Sequence, residues 1–448
     1  MEQHESRRHF LKQAGIVTAT GAVVASGAVP FVHAAENNTI KLALIGAGGR
    51  GRGAAINALA ADRNTKLWSI ADPFPGRAAH IAGLLKAELE SQDRADAVDV
   101  SPERAFDDLQ GYKAAMDTLD PGDVVLITGP TGFRPLHYAY AVEKGLNIFA
   151  EKALAADVPG LKSLEATNKI AIEKGLKVAV GLNNRHFIRT EETIRAIHAG
   201  QLGELYSFFV YRAHGPWGIG PRGDLTPLQH QLRRIILFNW LSGGYVVDCL
   251  IHNLDICSWA QQQLPSAALG MGGRLQRRSQ DDFIDNSSVQ YFFPNGKAMH
   301  MYALAMDNVW GGFRAVIHGE KGICTLGEMV GDPRFEEWES GRVFWAPEAQ
   351  GNDSYQTQHD RFFRAIRENT EWNEMQRGID ATLTAIMGRM ANETGQRVTR
   401  EQAWASTFQY APNIAELTME SDSPFMPDEN GDYPIPVPGR ATINNPYA

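Results

Sequence analysis

Apolar and polar positions change rhythm once along this chain, near its middle. Residues 41–45 form a short apolar run stopped by Gly46, the pattern of a strand buried on both faces. Similar runs recur at 65–71, 123–127, 147–150 and 177–180, with helical spacing between them at 53–61, 137–144 and 159–174. Pro159 falls in the first turn of the last helix, where its missing N–H costs nothing. Strands alternating with helices predict a doubly wound α/β parallel sheet ending near Asn183. Longer strands follow at 205–212, 287–293, 298–305 and 313–318, some alternating, with Pro294-Asn295-Gly296 as a hairpin turn. Helices are expected at 355–367 and 379–393. This half predicts an α+β domain built on an open, mostly antiparallel sheet. From Ser421 the periodicity fades into Pro, Asp and Asn, which predicts an extended tail over the surface.

The first residues change the setting. Ser6-Arg7-Arg8-His9-Phe10-Leu11-Lys12, a weakly apolar stretch and Val32-His33-Ala34 form a twin-arginine signal peptide pattern, with cleavage expected after Ala34. The stretch is too short and glycine-rich to span a bilayer, which needs about 20 apolar residues. The expected organisation is therefore a leader over 1–34, a nucleotide-type domain over 36–183, a substrate and oligomerisation domain over 184–420, and a tail over 421–448. The leader implies export by the twin-arginine machinery, to the periplasm or beyond. A net charge of −9 leaves no basic footprint for nucleic acid. Three cysteines, Cys249, Cys257 and Cys324, have no metal-type spacing and too few members for a disulfide framework. No metal is expected.

The chemistry begins where the first strand ends. Gly46-Ala-Gly48-Gly-Arg50-Gly51 reads G-x-G-x-x-G between a strand and a helix, with Asp72 closing the next strand 21 residues after Gly51. In that context the motif predicts a Rossmann dinucleotide site. Gly46 permits the tight turn, Gly48 lets the backbone approach the pyrophosphate, and Gly51 lets helix and strand pack closely. The helix N-terminus offers N–H groups to phosphates. Asp72 favours NAD over NADP through the ribose hydroxyls, with Arg77 near enough to bear on that choice.

Glu151-Lys152 follows a strand whose carboxyl end should face the ligand. Alone it is an ordinary surface pair. Further on, Gly243-Gly244 leads into a stretch expected to be helical from Tyr245, with Asp248 and His252 four apart on one face. A carboxylate and an imidazole together can bind a sugar hydroxyl and take its proton. Combined, these parts resemble the family named for glucose-fructose oxidoreductase, inositol dehydrogenase and a rhizopine-catabolism protein (Gfo/Idh/MocA). The resemblance covers the glycine turn, Asp72, Thr128 to Pro130 with His137 downstream, and Gly145 to Lys152. It continues through Gly243 to His252 and the turn from His318 to Gly322. It implies Lys152, Asp248 and His252 as active-site groups. It implies Gly46, Gly48, Arg50, Gly51, Asp72, Thr128, Pro130, His137, Glu151 and Lys152 around the cofactor. It also implies a homo-oligomer. Ala153 departs from the family, which usually has proline there.

Between the domains, His214, Trp217, Arg222 and Trp240 belong to segments rich in groups that stack on or bond to sugars, and Arg185 is placed to enter the cleft. The expected reaction is oxidation of a secondary hydroxyl of a sugar or glycoside, with C3 the expected position. His252 takes the proton, Lys152 and Asp248 polarise the oxygen, and hydride passes to NAD. Export cuts the enzyme off from free NAD, so the cofactor must be recycled in place by a second sugar or an unknown acceptor. Two alternatives remain: a hydrolase acting through transient C3 oxidation and elimination, and a sugar-binding module without catalysis.

Overall fold

The computed structural model describes His33 and residues 38–276, 280–327 and 332–448. The leader expected over 1–34 lies outside the described residues, His33 excepted.

Six parallel strands form the first sheet: β1 (Ile40–Ile45), β2 (Thr65–Ala71), β3 (Ala105–Phe106), β4 (Val124–Ile127), β5 (Asn147–Ala150) and β6 (Val178–Val180). Their order is β3-β2-β1-β4-β5-β6. Every residue of β4 and β5 is buried, which is why these strands read as unbroken apolar runs. The order reverses direction between β1 and β4, so a crevice opens beyond their carboxyl ends. The helix after β1 runs Gly49–Ala61, starting four residues before the predicted Gly53. The glycine turn itself supplies its first turn. Glycine's poor helix propensity hides that start, and only the fold around it forces it. One face of this sheet is closed from far away in sequence. Phe362, Phe363 and Ile366 of the helix Ser354–Glu368 pack with Ile40, Leu42 and Leu44 in one core.

Among the described residues the second sheet has nine strands. These are β7 (Leu205–His214), β8 (Ala267–Gly273), β9 (Asn286–Phe292), β10 (Ala298–Ala305), β11 (Gly312–Gly319), β12 (Gly322–Leu326), β13 (Arg334–Glu336), β14 (Val343–Trp345) and β15 (Arg397–Thr399). The order is β14-β13-β12-β11-β7-β10-β9-β8-β15. Among the described residues only β7 and β10 pair in parallel in this sheet; its other pairings are antiparallel. Burial alternates along β9, β10 and β11, so one face packs on helices and the other is open. The helix Met375–Thr394 lies on the packed face, so close that a Cβ on Gly270 would come within 2.4 Å of the Asn392 amide nitrogen.

The tail is irregular, yet it is anchored rather than draped. Tyr447 donates its hydroxyl to Asp282 Oδ2 at 2.8 Å, and Tyr433 accepts from Gln231 Nε2 at 2.9 Å. Ser423 and Ala441 are buried. Among the described residues no helix is long and apolar enough to cross a membrane.

Candidate active site

The glycine turn is built by close approach. Gly46 has φ +97°, and a Cβ there would come within 2.6 Å of the Gly129 amide nitrogen. A Cβ on Gly51 would lie 2.1 Å from the Gly46 carbonyl oxygen. Gly48 is different: a Cβ there meets nothing within 4 Å, so its backbone faces open space. It caps the helix Gly49–Ala61 with no side-chain hydrogen bond, which leaves the first N–H groups free for an anion. Thr128 Oγ1 donates to the Gly46 carbonyl at 2.7 Å and ties the turn to the end of β4.

Asp72 sits where β2 ends. Its Oδ2 accepts from Ala47 N at 2.9 Å and its Oδ1 from Phe74 N at 3.1 Å. Arg77 Nε lies 3.7 Å away. Burial outweighs these partners and raises the Asp72 carboxyl above the usual range. Asp72, Gly46, Pro130 and His137 share a narrow cavity of about 40 Å³. His137 is buried against the Tyr112 ring, with centroids 4.4 Å apart. Burial, then Arg134, pushes it down to about 3, so it is neutral. An open glycine, an uncapped helix start and a carboxylate at the end of β2 fit a dinucleotide.

A larger cleft of about 390 Å³ adjoins this turn, and Lys152, Asp248 and His252 all line it. Lys152 Nζ donates to the Asp248 carbonyl at 2.6 Å and to Asp248 Oδ1 at 3.2 Å. Burial pulls the lysine down, but Asp248, Cys249 and Glu151 together outweigh it and hold it above its ordinary range. Burial likewise opposes ionisation of Asp248, yet Lys152 foremost, with Cys249 and Arg134, keeps it below the usual carboxylate range. Lys152 is thus an ammonium and Asp248 a carboxylate. His252 is 7% exposed, and its Nδ1 has no hydrogen-bond partner among the described residues. Burial, Lys152 and Arg212 push it down to about 3, against Asp248. It is a neutral ring, whose protonation burial opposes and Asp248 favours.

The local backbone explains the convergence. The turn Val246–Leu250 is a π-helix that passes into the α-helix Ile251–Gln261. The expected helix from Tyr245 is therefore wider for one turn, and such π-turns frequently occur at functional sites. Gly243, with φ +82°, reverses the chain just before it. Arg389 is buried and its Nη1 donates to Gly243 O at 2.7 Å and to Ala156 O at 2.8 Å. One side chain thus ties the segment after Lys152 to the start of the Asp248 turn. Arg134 does similar work: Nη2 donates to Gly129 O at 2.7 Å and Nη1 to Ala153 O. The Lys152–Ala153 peptide bond is cis.

Of the residues singled out from sequence, Arg50, Thr128, Pro130, Glu151, Lys152, Asp248 and His252 line the larger cleft. Arg50 Nε pairs with Glu151 Oε1 at 2.6 Å. The substrate residues fare differently. Trp240 is 1% exposed and donates Nε1–H to Gln231 Oε1 at 2.6 Å; it is core, because its ring packs against Phe133. Arg185 is held by Asp255, with Nε–Oδ2 at 2.7 Å and Nη2–Oδ1 at 2.8 Å, and lies over Trp259 rather than in the cleft. His214 and Trp217 pack in tilted contact, with centroids 4.2 Å apart, and both meet the Tyr245 ring edge-on. They do not line this cleft, and neither does Arg222, which is exposed. Sequence reasoning missed Arg134, Asn183, Arg212, Ile235 and Tyr355, which do line it. Only Arg134 and Asn183 stood close to a motif; Tyr355 arrives from more than two hundred residues beyond Lys152. Among the described residues no cluster of His, Cys, Asp or Glu could hold a metal ion. All three cysteines are free and buried.

The chain is similar to known proteins in sequence and in structure. Residues 191–325 match the GFO/IDH/MocA C-terminal domain. The chain is also 25% identical over 294 residues to scyllo-inositol 2-dehydrogenase (NAD(+)) of Bacillus subtilis (strain 168), covering 65% of this chain and 74% of that one. In structure it resembles scyllo-inositol dehydrogenase from Lactobacillus casei with bound cofactor NAD(H) and scyllo-inositol. That likeness has TM-score 0.60 and 16% identity, over 81% of this chain and 100% of that one. UDP-N-acetylglucosamine 3-dehydrogenase from Acidithiobacillus ferrooxidans matches with TM-score 0.58 and 18% identity, over 79% and 98% of the two chains. The two solved structures share the α/β architecture of a parallel sheet followed by a mixed one.

Proposed function

We propose that this protein is an NAD-dependent oxidoreductase of the GFO/IDH/MocA family, oxidising a secondary hydroxyl of a sugar or glycoside to a ketone. C3 is the position we propose. The observation that carries the reading is the meeting of Lys152, Asp248 and His252 in one cleft beside the glycine turn. A sugar hydroxyl there meets a donor that is always charged and a ring that is always neutral near pH 7. Lys152 holds the oxygen by a charge-assisted hydrogen bond that strengthens as negative charge develops. His252 takes the hydroxyl proton on its ring, and the Asp248 carboxylate favours the imidazolium so formed. NAD, when bound, supplies the hydride acceptor. Gly48, the free start of the helix Gly49–Ala61, Arg50 and Asp72 are the groups that would hold it. Arg134 and Arg389 keep the two catalytic segments in register.

The leader motif supports the further proposal that the protein is exported by the twin-arginine route with NAD already bound. The cofactor is then reoxidised in place by a second carbonyl compound. The test is direct. Protein purified without added cofactor is denatured and the supernatant assayed for NAD(H) and NADP(H). Near-stoichiometric NAD supports the reading. A protein that is empty and binds NAD only weakly overturns the closed cycle.

A further inference from the structure

The larger cleft carries more positive charge than its chemistry uses. Its lining includes four cations, Arg50, Arg134, Lys152 and Arg212, against two carboxylates, Glu151 and Asp248. Three of the cations have their work assigned. Arg50 pairs with Glu151, Lys152 pairs with Asp248, and Arg134 donates to the Gly129 and Ala153 carbonyls. Arg212 remains. Among the described residues it has no carboxylate within ion-pair distance, and its Nε is buried without a hydrogen-bond partner. Its neighbours are neutral: the guanidinium lies 4.4 Å from the Phe313 ring centroid, 5.9 Å from that of Trp217, and reaches the Tyr245 hydroxyl. Aromatic rings hold a guanidinium in place without cancelling its charge. A guanidinium set beside an active site and left unmatched is a built receptor for an anion.

Its position says which anion. Arg212 stands on β7 of the second sheet and lines the cleft close enough to Cys249 and His252 to act on both electrostatically. The glycine turn and Arg50, which serve the phosphates of a dinucleotide, belong to the first sheet and its helix. The charge on Arg212 therefore faces the alcohol side of the cleft. We infer that the sugar oxidised here is anionic, carrying a carboxylate or phosphate that Arg212 binds while His252 and Lys152 engage the reacting hydroxyl. This rests on the oxidation proposed above and adds the substrate class. Hexuronates and sugar phosphates share the chemistry that Arg212 recognises.

The test uses the NAD-loaded protein and three probes: glucose, glucuronate and glucose 6-phosphate. Equilibrium binding is measured by calorimetry beside ketone formation, for the wild type, Arg212→Gln and Arg212→Lys. A charge-assisted bond predicts that the wild type prefers one of the anionic probes over glucose by roughly 10- to 100-fold. Glucuronate as the favoured probe assigns a carboxylate, and glucose 6-phosphate a phosphate. In Arg212→Gln the ratio falls to about 1, while Arg212→Lys keeps part of it; retained NAD in both variants shows that the fold is intact. A wild type that binds glucose as well as either anion overturns the inference, as does an Arg212→Gln variant that keeps the preference. Oxidation without charge preference would leave the dehydrogenase reading standing and remove this one. Selective binding of an anionic probe without oxidation would do the reverse.

Discussion

Replacing Lys152 by Met removes the ammonium and keeps most of the side chain's length. The structure sets the size of the effect. Nζ makes two bonds, to Asp248 O at 2.6 Å and Oδ1 at 3.2 Å, and lines the same cleft as His252. Losing a donor aimed at developing oxygen charge costs about 2.7–4 kcal/mol, or roughly 10²–10³ in kcat. The fold should suffer less. The Asp248 side chain is 30% exposed, so stranding its carboxylate costs less than the 3–5 kcal/mol of a fully buried pair; about 1–2 kcal/mol is expected. The pH dependence has a definite sign. Lys152 is raised, so the pair's stabilisation is complete below the unfolded lysine pKa of about 10.4 and is lost as pH rises through the higher folded value. Asp248 is lowered, so at the acid end the stabilisation is lost as pH falls through its depressed value. The assay is single-turnover ketone formation by NAD-loaded protein, with cofactor content measured on the same sample. A Lys152→Met protein that retains NAD and turns over within tenfold of wild type would refute the assignment.

Four further outcomes follow from the same geometry. His252→Asn lowers ketone formation by about 10²–10⁴ while retained NAD and sugar binding are kept, as single-turnover and calorimetric data would show. Gly48→Ala folds with an unchanged melting temperature, because its Cβ enters open space, yet retains less NAD; Gly51→Ala, whose Cβ meets the Gly46 carbonyl, also loses stability. Trp240→Phe deletes the bond to Gln231 and costs about 0.5–1.5 kcal/mol in denaturant unfolding, with kcat unchanged, as befits a core residue. Burial raises Glu393 to about 7, against Arg389; a raised carboxyl makes the folded state bind more protons, so stability falls as pH climbs from about 4 to 7. Glu393→Gln should flatten that slope in melting curves.

The parallel sheet was legible because its strands are buried on both faces. Nothing but apolar side chains suits β4, and its run of Val124 to Ile127 reads clearly. The second sheet was legible only in part. β9, β10 and β11 alternate and were expected, whereas β8 ends in Gly-Met-Gly-Gly and shows no alternation; close packing against the helix Met375–Thr394 selects glycine at 270 and 272. β13, β14 and β15 have three residues each, too few for a period. The site divides in the same way. Lys152, Asp248 and His252, the groups proposed to carry the chemistry, sit in local motifs with a readable spacing. Arg212 and Tyr355 reach the cleft through long-range packing, which leaves no local mark. Trp240 and Arg185 were misjudged for one reason. Composition near a motif cannot tell a side chain aimed at the cleft from one claimed by Gln231 or Asp255. The tail looked like surface chain because its anchors, Tyr433 and Tyr447, are single residues without periodicity.

The most direct measurement follows the hydride. Protein carrying its retained cofactor is mixed with hexoses and hexuronates deuterated at C3, and the cofactor is then released by denaturation and weighed by mass spectrometry. The account predicts reduced NAD bearing one deuterium, formed by wild type and lost in His252→Asn. Cofactor that stays oxidised and unlabelled with every such sugar would contradict oxidation at C3 by the cleft of Lys152, Asp248 and His252.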